Sequence, residues 1–388
     1  MRQLSGLFAC FVLLAAAARA EAPRVATDIG PVHSLVSQVM QGAGEPDLLI
    51  PPGASPHAYA MRPSEARALS RADVVFWIGP SLTPWLAGPV ETLAASARHV
   101  TLTETDGVTL LAFREGADFS GHDHAVHDKA EDHGHDDEHG HDGHDDHDDH
   151  AGEEGHHDDH DDHAGEEGHH DDHDEHAGEE RHHDAHDEHA AEKGHDDHTG
   201  HADDKDHAGH DGHDHDGADP HLWLDPENAQ VWLAMIADVL AEIDPENADL
   251  YQRNAETAAA SVAAQQAVIR AQMAPLHDQP FVVFHDAYHY FEARFDVSAV
   301  AAITLADAGA ASAGRLSEVR AAVGRAGAAC ALNDPSSGEG LIDAVASEDG
   351  LRIVTADPVG AGLIPGPGFY GALLQQIADA LTECLGGA

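Results

Sequence analysis

The sequence predicts an α/β protein: two lobes of parallel-type sheet flanked by helices, joined by one long rigid backbone helix, with a disordered His/Asp-rich insertion. Three observations predict it. Apolar runs of strand length alternate with amphipathic helical stretches on both sides of the middle of the chain. One alanine-rich stretch free of glycine, Asp244 to Leu276, is much longer than an ordinary helix. Between these parts, Gly155 to Glu180 reads GHHDDHDDHAGEE GHHDDHDEHAGEE, with no apolar residue larger than alanine.

The elements follow in order. RVATDI (Arg24 to Ile29) reads as a buried strand, and Gly30-Pro31 opens an amphipathic helix to about Met40. DLLIPPG is a second strand, stopped by Pro51-Pro52. Pro63-Ser64 precedes a helical pattern in RPSEARALSRA, DVVFWIG (Asp73 to Gly79) is a third strand, and RHVTLTE adds another. Beyond the insertion, Asp225-Pro226-Glu227 opens a helix through VWLAMIADVLAEI. Asp244-Pro245 starts the long helix, which at about 1.5 Å per residue reaches over 40 Å. The last third repeats the rhythm: FVVFH, a helix HYFEARF, VSAVAAI, a helix around LSEVRAAVGRAG, ACALND, a helix from Gly340, LRIVTAD, and a final helix to Cys384.

These readings divide the chain into a signal peptide (1–20), a first lobe (21–117), the acidic loop (118–217), the end of the first lobe (218–243), the linking helix (244–276) and a second lobe (277–388). The leader rests on Arg2, the apolar run Leu7 to Ala18 and the Ala18-Arg19-Ala20 site, which predict export to the periplasm with cleavage near Ala20. The apolar run continues past Cys10, which disfavours lipid attachment there. The mature chain then keeps Cys330 and Cys384, and an oxidising compartment invites a disulfide between them, two free buried thiols being the alternative.

Composition is lopsided, with 72 acids, 19 bases and 36 histidines. Only His33, His57, His99, His221, His277, His285 and His289 lie outside the insertion. So many like charges and so little apolar surface cannot offset the entropy of ordering, so that segment is expected to be disordered. Its thirteen-residue period, continued by RHHDAHDEHAAEK from Arg181, is too short for a solenoid repeat. The acidic balance of the remainder argues against a nucleic-acid partner. His135 to His139 matches HxxEH, but a match is nearly inevitable in such a repeat and no helix would hold it.

Four motifs outside the insertion carry chemistry. PPGASPHAYAMRPS places His57 on a Pro- and Gly-punctuated loop, DPHLWLDP carries His221, FVVFHDAYHYF has His285 directly after a buried strand, and RIVTADPVG ends a strand at Asp357. Ligands gather at the carboxyl ends of strands in open α/β sheets, so these groups could converge from both lobes. Three imidazoles with one oxygen donor, either Asp357 or water, suit Zn2+. His289 reads as a surface neighbour of His285, and His33 as a polar residue near a helix start.

On these motifs the chain resembles the ZnuA-like branch of the metal-binding solute receptors, the periplasmic zinc-binding components of bacterial ABC importers. The resemblance rests on PGxSPHxYxxRPS, DPHxWLDP, FHDAYxYF and the DP-x-G turn at Asp357, and covers nearly the whole mature chain. It implies two lobes spanned by a backbone helix, with metal held in the cleft by His57, His221, His285 and Asp357. It also implies pairing of Cys330 with Cys384, delivery of zinc to an inner-membrane ABC permease, a monomer, and no catalytic activity. His285 stands where manganese-type relatives tend to carry glutamate, which favours zinc. Ala58 and CALNDPSSGEG depart from the family pattern, removing one possible carboxylate and leaving contacts near Asn333 open.

The insertion is then expected to supply weak, exchangeable auxiliary zinc sites, including His156, His157, His160, His163, His169, His170, His173 and His176. Such binding weakens below about pH 6.5, because protonated imidazole cannot ligate. Two rivals are a zinc hydrolase using Asp357 as base and a metal buffer whose insertion is its main working part.

Overall fold

The computed structural model describes residues 22–119, 217–305, 312–335 and 350–386, together with 340, 342, 345 and 346. Of the acidic loop only Asp118, Phe119 and Gly217 are described; its histidines and the leader lie outside these residues, as does most of the helix expected from Gly340.

In the first lobe, β1 (Val25–Thr27), α1 (Gly30–Val39), β2 (Asp47–Leu48), α2 (Pro63–Arg71), β3 (Val74–Trp77), α3 (Pro84–Leu93) and β4 (Arg98–Thr101) form a parallel sheet of order β2-β1-β3-β4. α4 (Pro226–Ile243) and α5 (Ala248–Met273) follow. The second lobe carries β5 (Phe281–His285), α6 (His289–Phe295), β6 (Ala299–Thr304), α7 (Ala313–Ala326), β7 (Cys330–Asn333), β8 (Arg352–Thr355) and α8 (Phe369–Leu385). Its sheet, again parallel, has the order β6-β5-β7-β8. The two orders are the same once β5 is set in the place of β1. Each sheet therefore reverses direction beside its first strand, the position where doubly wound sheets open a crevice at their carboxyl ends.

Alternation along the strands sorts side chains between two layers. Val25, Val74, Phe76, Phe281 and Val283 face one continuous core shared by both lobes and the helices between them. Ala26, Val75 and Trp77 face a smaller layer with Leu69 and Leu86 of α2 and α3. Val282 and Phe284 pack against Val319 and Val323 of α7. With both faces covered, the inner strands read as unbroken apolar runs.

The long helix behaves as its composition dictates. Short turns at Pro245–Asn247 and Ala274–Leu276 flank α5, whose 26 residues span about 39 Å. Tyr251, Ala255, Ala258, Val262, Ile269 and Met273 form its single buried stripe, and alanine elsewhere supplies helix propensity without adding apolar surface. The strand expected from DLLIPPG pairs over only Asp47–Leu48. Pro51 and Pro52 lack N–H donors and turn the chain into the loop that carries His57.

Cys330, at the start of β7, is joined by a disulfide to Cys384 in α8. The segment 112–119, its last two residues expected to open the acidic loop, pairs with the second lobe: Asp118 bridges Ala301, and the Phe119 N–H donates to the Val300 carbonyl at 2.9 Å. Arg114 in the same segment is 7% exposed. Its guanidinium donates to Asp286 and Glu292, including 2.6 Å from Nη1 to Glu292 Oε2, and its Cζ lies 4.1 Å from the centre of the Phe119 ring.

Candidate metal site

Three histidines from distant parts of the chain meet at the carboxyl ends of the two sheets. His57, His221 and His285 each offer a ring nitrogen within 4.8 Å of the others. Their ring centres are separated by 5.8 Å for His57–His221, 6.2 Å for His57–His285 and 5.0 Å for His221–His285. Zinc–nitrogen bonds of about 2.0–2.1 Å in a tetrahedral array set the nitrogens about 3.4 Å apart, so the three rings must draw closer by up to about 1.4 Å to share one ion.

Each histidine is placed by its own element. His57 lies in the tight turn Pro56–Ala58, after a loop whose Gly53 has φ +85°, a backbone state that favours glycine. The Trp85 indole N–H donates to the Pro56 carbonyl at 2.8 Å, and the Tyr59 hydroxyl donates to Glu65 at 2.8 Å. Glu65 also accepts from the Arg62 N–H at 2.6 Å, capping α2 and fixing the departure of the loop. His285 is the last residue of β5, buried at 2% exposure, with Nδ1 3.9 Å from Asp334 Oδ2 at the end of the adjacent β7. His221 precedes the turn Leu222–Leu224 that leads into α4, whose start is capped by Asp225 accepting from Glu227 N–H at 2.8 Å.

His221 is held by Asp219, whose Oδ1 lies 2.7 Å from its Nδ1 and accepts its backbone N–H at 3.0 Å. Burial pushes the Asp219 carboxyl up, but the His221 ring and its hydrogen bonds outweigh this and hold it below the ordinary carboxylate range. An ionised carboxylate only accepts, so Nδ1 of His221 can hydrogen-bond Asp219 only as a donor.

Asp357 lines the same cavity, which has a volume of about 80 Å³ and is also bordered by His221, Trp223, His285 and Asp334. Its carboxylate is not among the mutually close donors of the three histidines. Oδ1 accepts from Val359 N–H at 2.8 Å and Gly360 N–H at 3.0 Å, and Oδ2 accepts from Ala361 N–H. Burial raises its carboxyl above the ordinary value, opposed by those backbone donors. The Trp223 indole N–H donates to the Pro358 carbonyl at 2.8 Å, tying the Asp357 turn to the His221 segment.

His289 is not a surface residue. Its side chain is 11% exposed, with Nδ1 3.7 Å from the second oxygen of Asp219. Burial and the nearby charge of Arg114 hold its imidazole below the ordinary range. The surface expectation fails because α6 begins at His289 and turns that side chain inward toward DPH. His33 lies in α1 with Nε2 3.1 Å from the Pro46 carbonyl oxygen. The sequence reading passed over Asp219 and Asp334. An acid two residues before a candidate histidine, and an acid ending a strand as Asp357 does, were the available signals.

The family model for the periplasmic zinc-uptake complex component A (ZnuA) matches residues 25–384. The chain is similar to the high-affinity zinc uptake system protein ZnuA of Brucella abortus (strain 2308), with 35% identity over 389 residues, covering 99% of each chain. It is 37% identical over 370 residues to the protein of the same name from Paracoccus denitrificans (strain Pd 1222), covering 95% of this chain and 94% of that one. Among solved structures, a zinc-bound ZnuA deletion mutant superposes with a TM-score of 0.61 at 16% identity, covering 94% of this chain and 98% of that one. The periplasmic zinc-binding protein TroA of Treponema pallidum gives 0.59 at 16% identity, covering 94% and 99%. At such identities the superpositions speak for the fold alone.

Proposed function

The chain belongs to the periplasmic zinc-uptake complex component A family, and from that membership we propose that it captures Zn2+ on His57, His221 and His285 and passes it to an inner-membrane ABC permease. Members of this family are components of an uptake system, not enzymes. The observation that carries the reading is the meeting of three imidazoles from separate segments within 4.8 Å. Neutral imidazoles suit a borderline-soft cation, and the choice of histidine at position 285, where a carboxylate would harden the site, favours zinc over manganese. Asp357 or water completes the coordination. The backbone donors to Asp357 take both lone-pair positions of Oδ1 but only one of Oδ2, so Oδ2 keeps a position from which Asp357 could ligate.

In this reading the chain is exported, loses its leader near Ala20 and works in the periplasm as a monomer. His57, His221 and His285 supply the tight site, while the histidines of the insertion provide weaker, exchangeable ones. α1, α4 and α5 join the lobes through one core, which limits how far the sheets can separate when zinc enters or leaves.

The test is a calorimetric zinc titration of the mature protein and of a version lacking 121–217, each with and without H57A/H221A. One tight site that survives the deletion and disappears in the double variant is the expected result. Loss of tight binding on deletion alone would overturn the assignment and make the insertion the binding element.

A further inference from the structure

Asp219 is fixed more firmly than a residue beside a long insertion needs to be. It is 1% exposed. Its N–H donates to the Leu111 carbonyl at 2.8 Å, and its own carbonyl accepts from the Tyr290 hydroxyl at 2.9 Å. The Tyr290 oxygen in turn accepts from the Leu111 N–H at 2.9 Å. Tyr290 is buried on α6, one turn beyond the strand that ends in His285. The backbone of Asp219 is thus held from two sides, and one oxygen of its carboxylate meets Nδ1 of His221 at 2.7 Å.

We propose that Asp219 is a positioning residue for zinc capture, whose carboxylate holds the His221 proton on Nδ1 and leaves Nε2 as the nitrogen presented to the metal. The inference rests on the reading of His221 as a zinc ligand. An imidazole free in water favours the other tautomer, with its proton on Nε2, so an unassisted His221 would present its ligating nitrogen unprotonated only part of the time. Asp219 selects the open tautomer before zinc arrives, fixes the plane of the ring and increases the basicity of the ligand. Carboxylate partners of ligating histidines act in this way, and their removal lowers metal affinity about 10- to 100-fold. The second oxygen, 3.7 Å from Nδ1 of His289, faces a second imidazole. That histidine therefore belongs to the environment of Asp219 and is not one of the three grouped donors.

A merely structural role is the competing explanation, because Asp219 Oδ1 also accepts the His221 backbone N–H and so closes a local turn. Two readouts on the mature full-length protein separate them. Proton NMR of the zinc-free protein should show a slowly exchanging, downfield ring N–H signal, assigned to His221 by its loss in H221A. That signal should persist when the tight site is filled with zinc, since the metal takes Nε2. It should vanish in D219A and move upfield in D219N, whose amide oxygen can still accept the proton. Chelator competition should give zinc binding weakened about 10- to 100-fold in D219A and less in D219N. If D219A does not fold, D219N decides: an unmoved ring proton together with wild-type affinity overturns the proposal. Loss of the wild-type ring proton on zinc addition overturns it as well, because the metal would then sit on Nδ1. Wild-type zinc affinity in H221A would instead remove the ligand assignment on which the proposal rests.

Discussion

Replacing Arg114 with alanine should destabilise the zinc-free protein by about 3–5 kcal/mol, the usual loss when one member of a buried ion pair is removed. The guanidinium is 5% exposed as a side chain, Asp286 is 4% exposed and Glu292 is fully buried at 0%. Burial alone would lower the basicity of Arg114, but Glu292 and Asp286 overcome it and hold the guanidinium well above its ordinary range. Removing that cation leaves two carboxylates buried close together, with only the longer-range field of Arg315 acting on Asp286. It also forfeits the stacking on Phe119, worth up to about 2 kcal/mol where the cation is desolvated. E292Q should cost less, about 1–3 kcal/mol, because Arg114 keeps Asp286 and the new amide oxygen can still accept from Arg114 Nη1 and Ala299 N, leaving only the N–H₂ opposed to Arg114 Nη2. Urea denaturation followed by circular dichroism measures both, as a shift in midpoint at constant slope. A loss below about 1 kcal/mol for R114A, or equal losses for the two variants, would refute the claim that the guanidinium is what makes this cluster tolerable.

Asp28, fully buried after β1, carries a second electrostatic prediction: burial pushes its carboxyl up to about 7, against the hydrogen bonds it accepts from Ile78 and Ile29. With the folded value above the unfolded one near 3.8, its contribution to stability is complete below the unfolded value and lost as pH rises through about 7. The stability difference between wild type and D28N should therefore shift by about 2–3 kcal/mol in favour of wild type from pH 8 to pH 5, and a pH-independent difference would contradict it. For the disulfide, a separation of 54 residues gives a chain-entropy contribution of about 4 kcal/mol, so C330S/C384S should unfold at clearly lower urea. An unchanged midpoint would show that the cross-link does not constrain the unfolded chain.

What could be read from the sequence was whatever local chemistry dictates. FVVFH and RIVTAD are short apolar runs at strand length, and Asp225-Pro226 announces a helix start through a side-chain cap and a ring that needs no N–H donor. The alanine-rich run after Asp244 could hardly be anything but a long helix. α3 is hidden by Pro89 inside it, although Pro84 opens its first turn and its buried Leu86 and Val90 face the sheet four residues apart. In the site, His57, His221 and His285 stood out by motif, but their mutual distances depend on how two sheets face each other, which no local pattern encodes. The partners of Arg114 were hidden for the same reason. They lie 172 and 178 residues away, and LAFREGADF has no periodicity that marks its arginine as buried.

The flanks of the insertion explain how so long and charged a segment can share a chain with a site that tolerates little displacement. Ala112 bridges Ala218 in antiparallel fashion, and the Leu111–Asp219 and Tyr290 hydrogen bonds close the base beside it. Closing a flexible loop costs only about 0.6 kcal/mol more for each doubling of its length. Each of the clamp's hydrogen bonds contributes about 1 kcal/mol, so the base can stay closed over a wide range of insertion lengths. His221 lies on the folded side of this clamp, two residues past Asp219, and takes its position from Asp219, Leu111 and Tyr290 together. The geometry of the three histidines is therefore insulated from the length of the acidic segment. A chain built in this way can vary its insertion without rebuilding the cluster of three histidines.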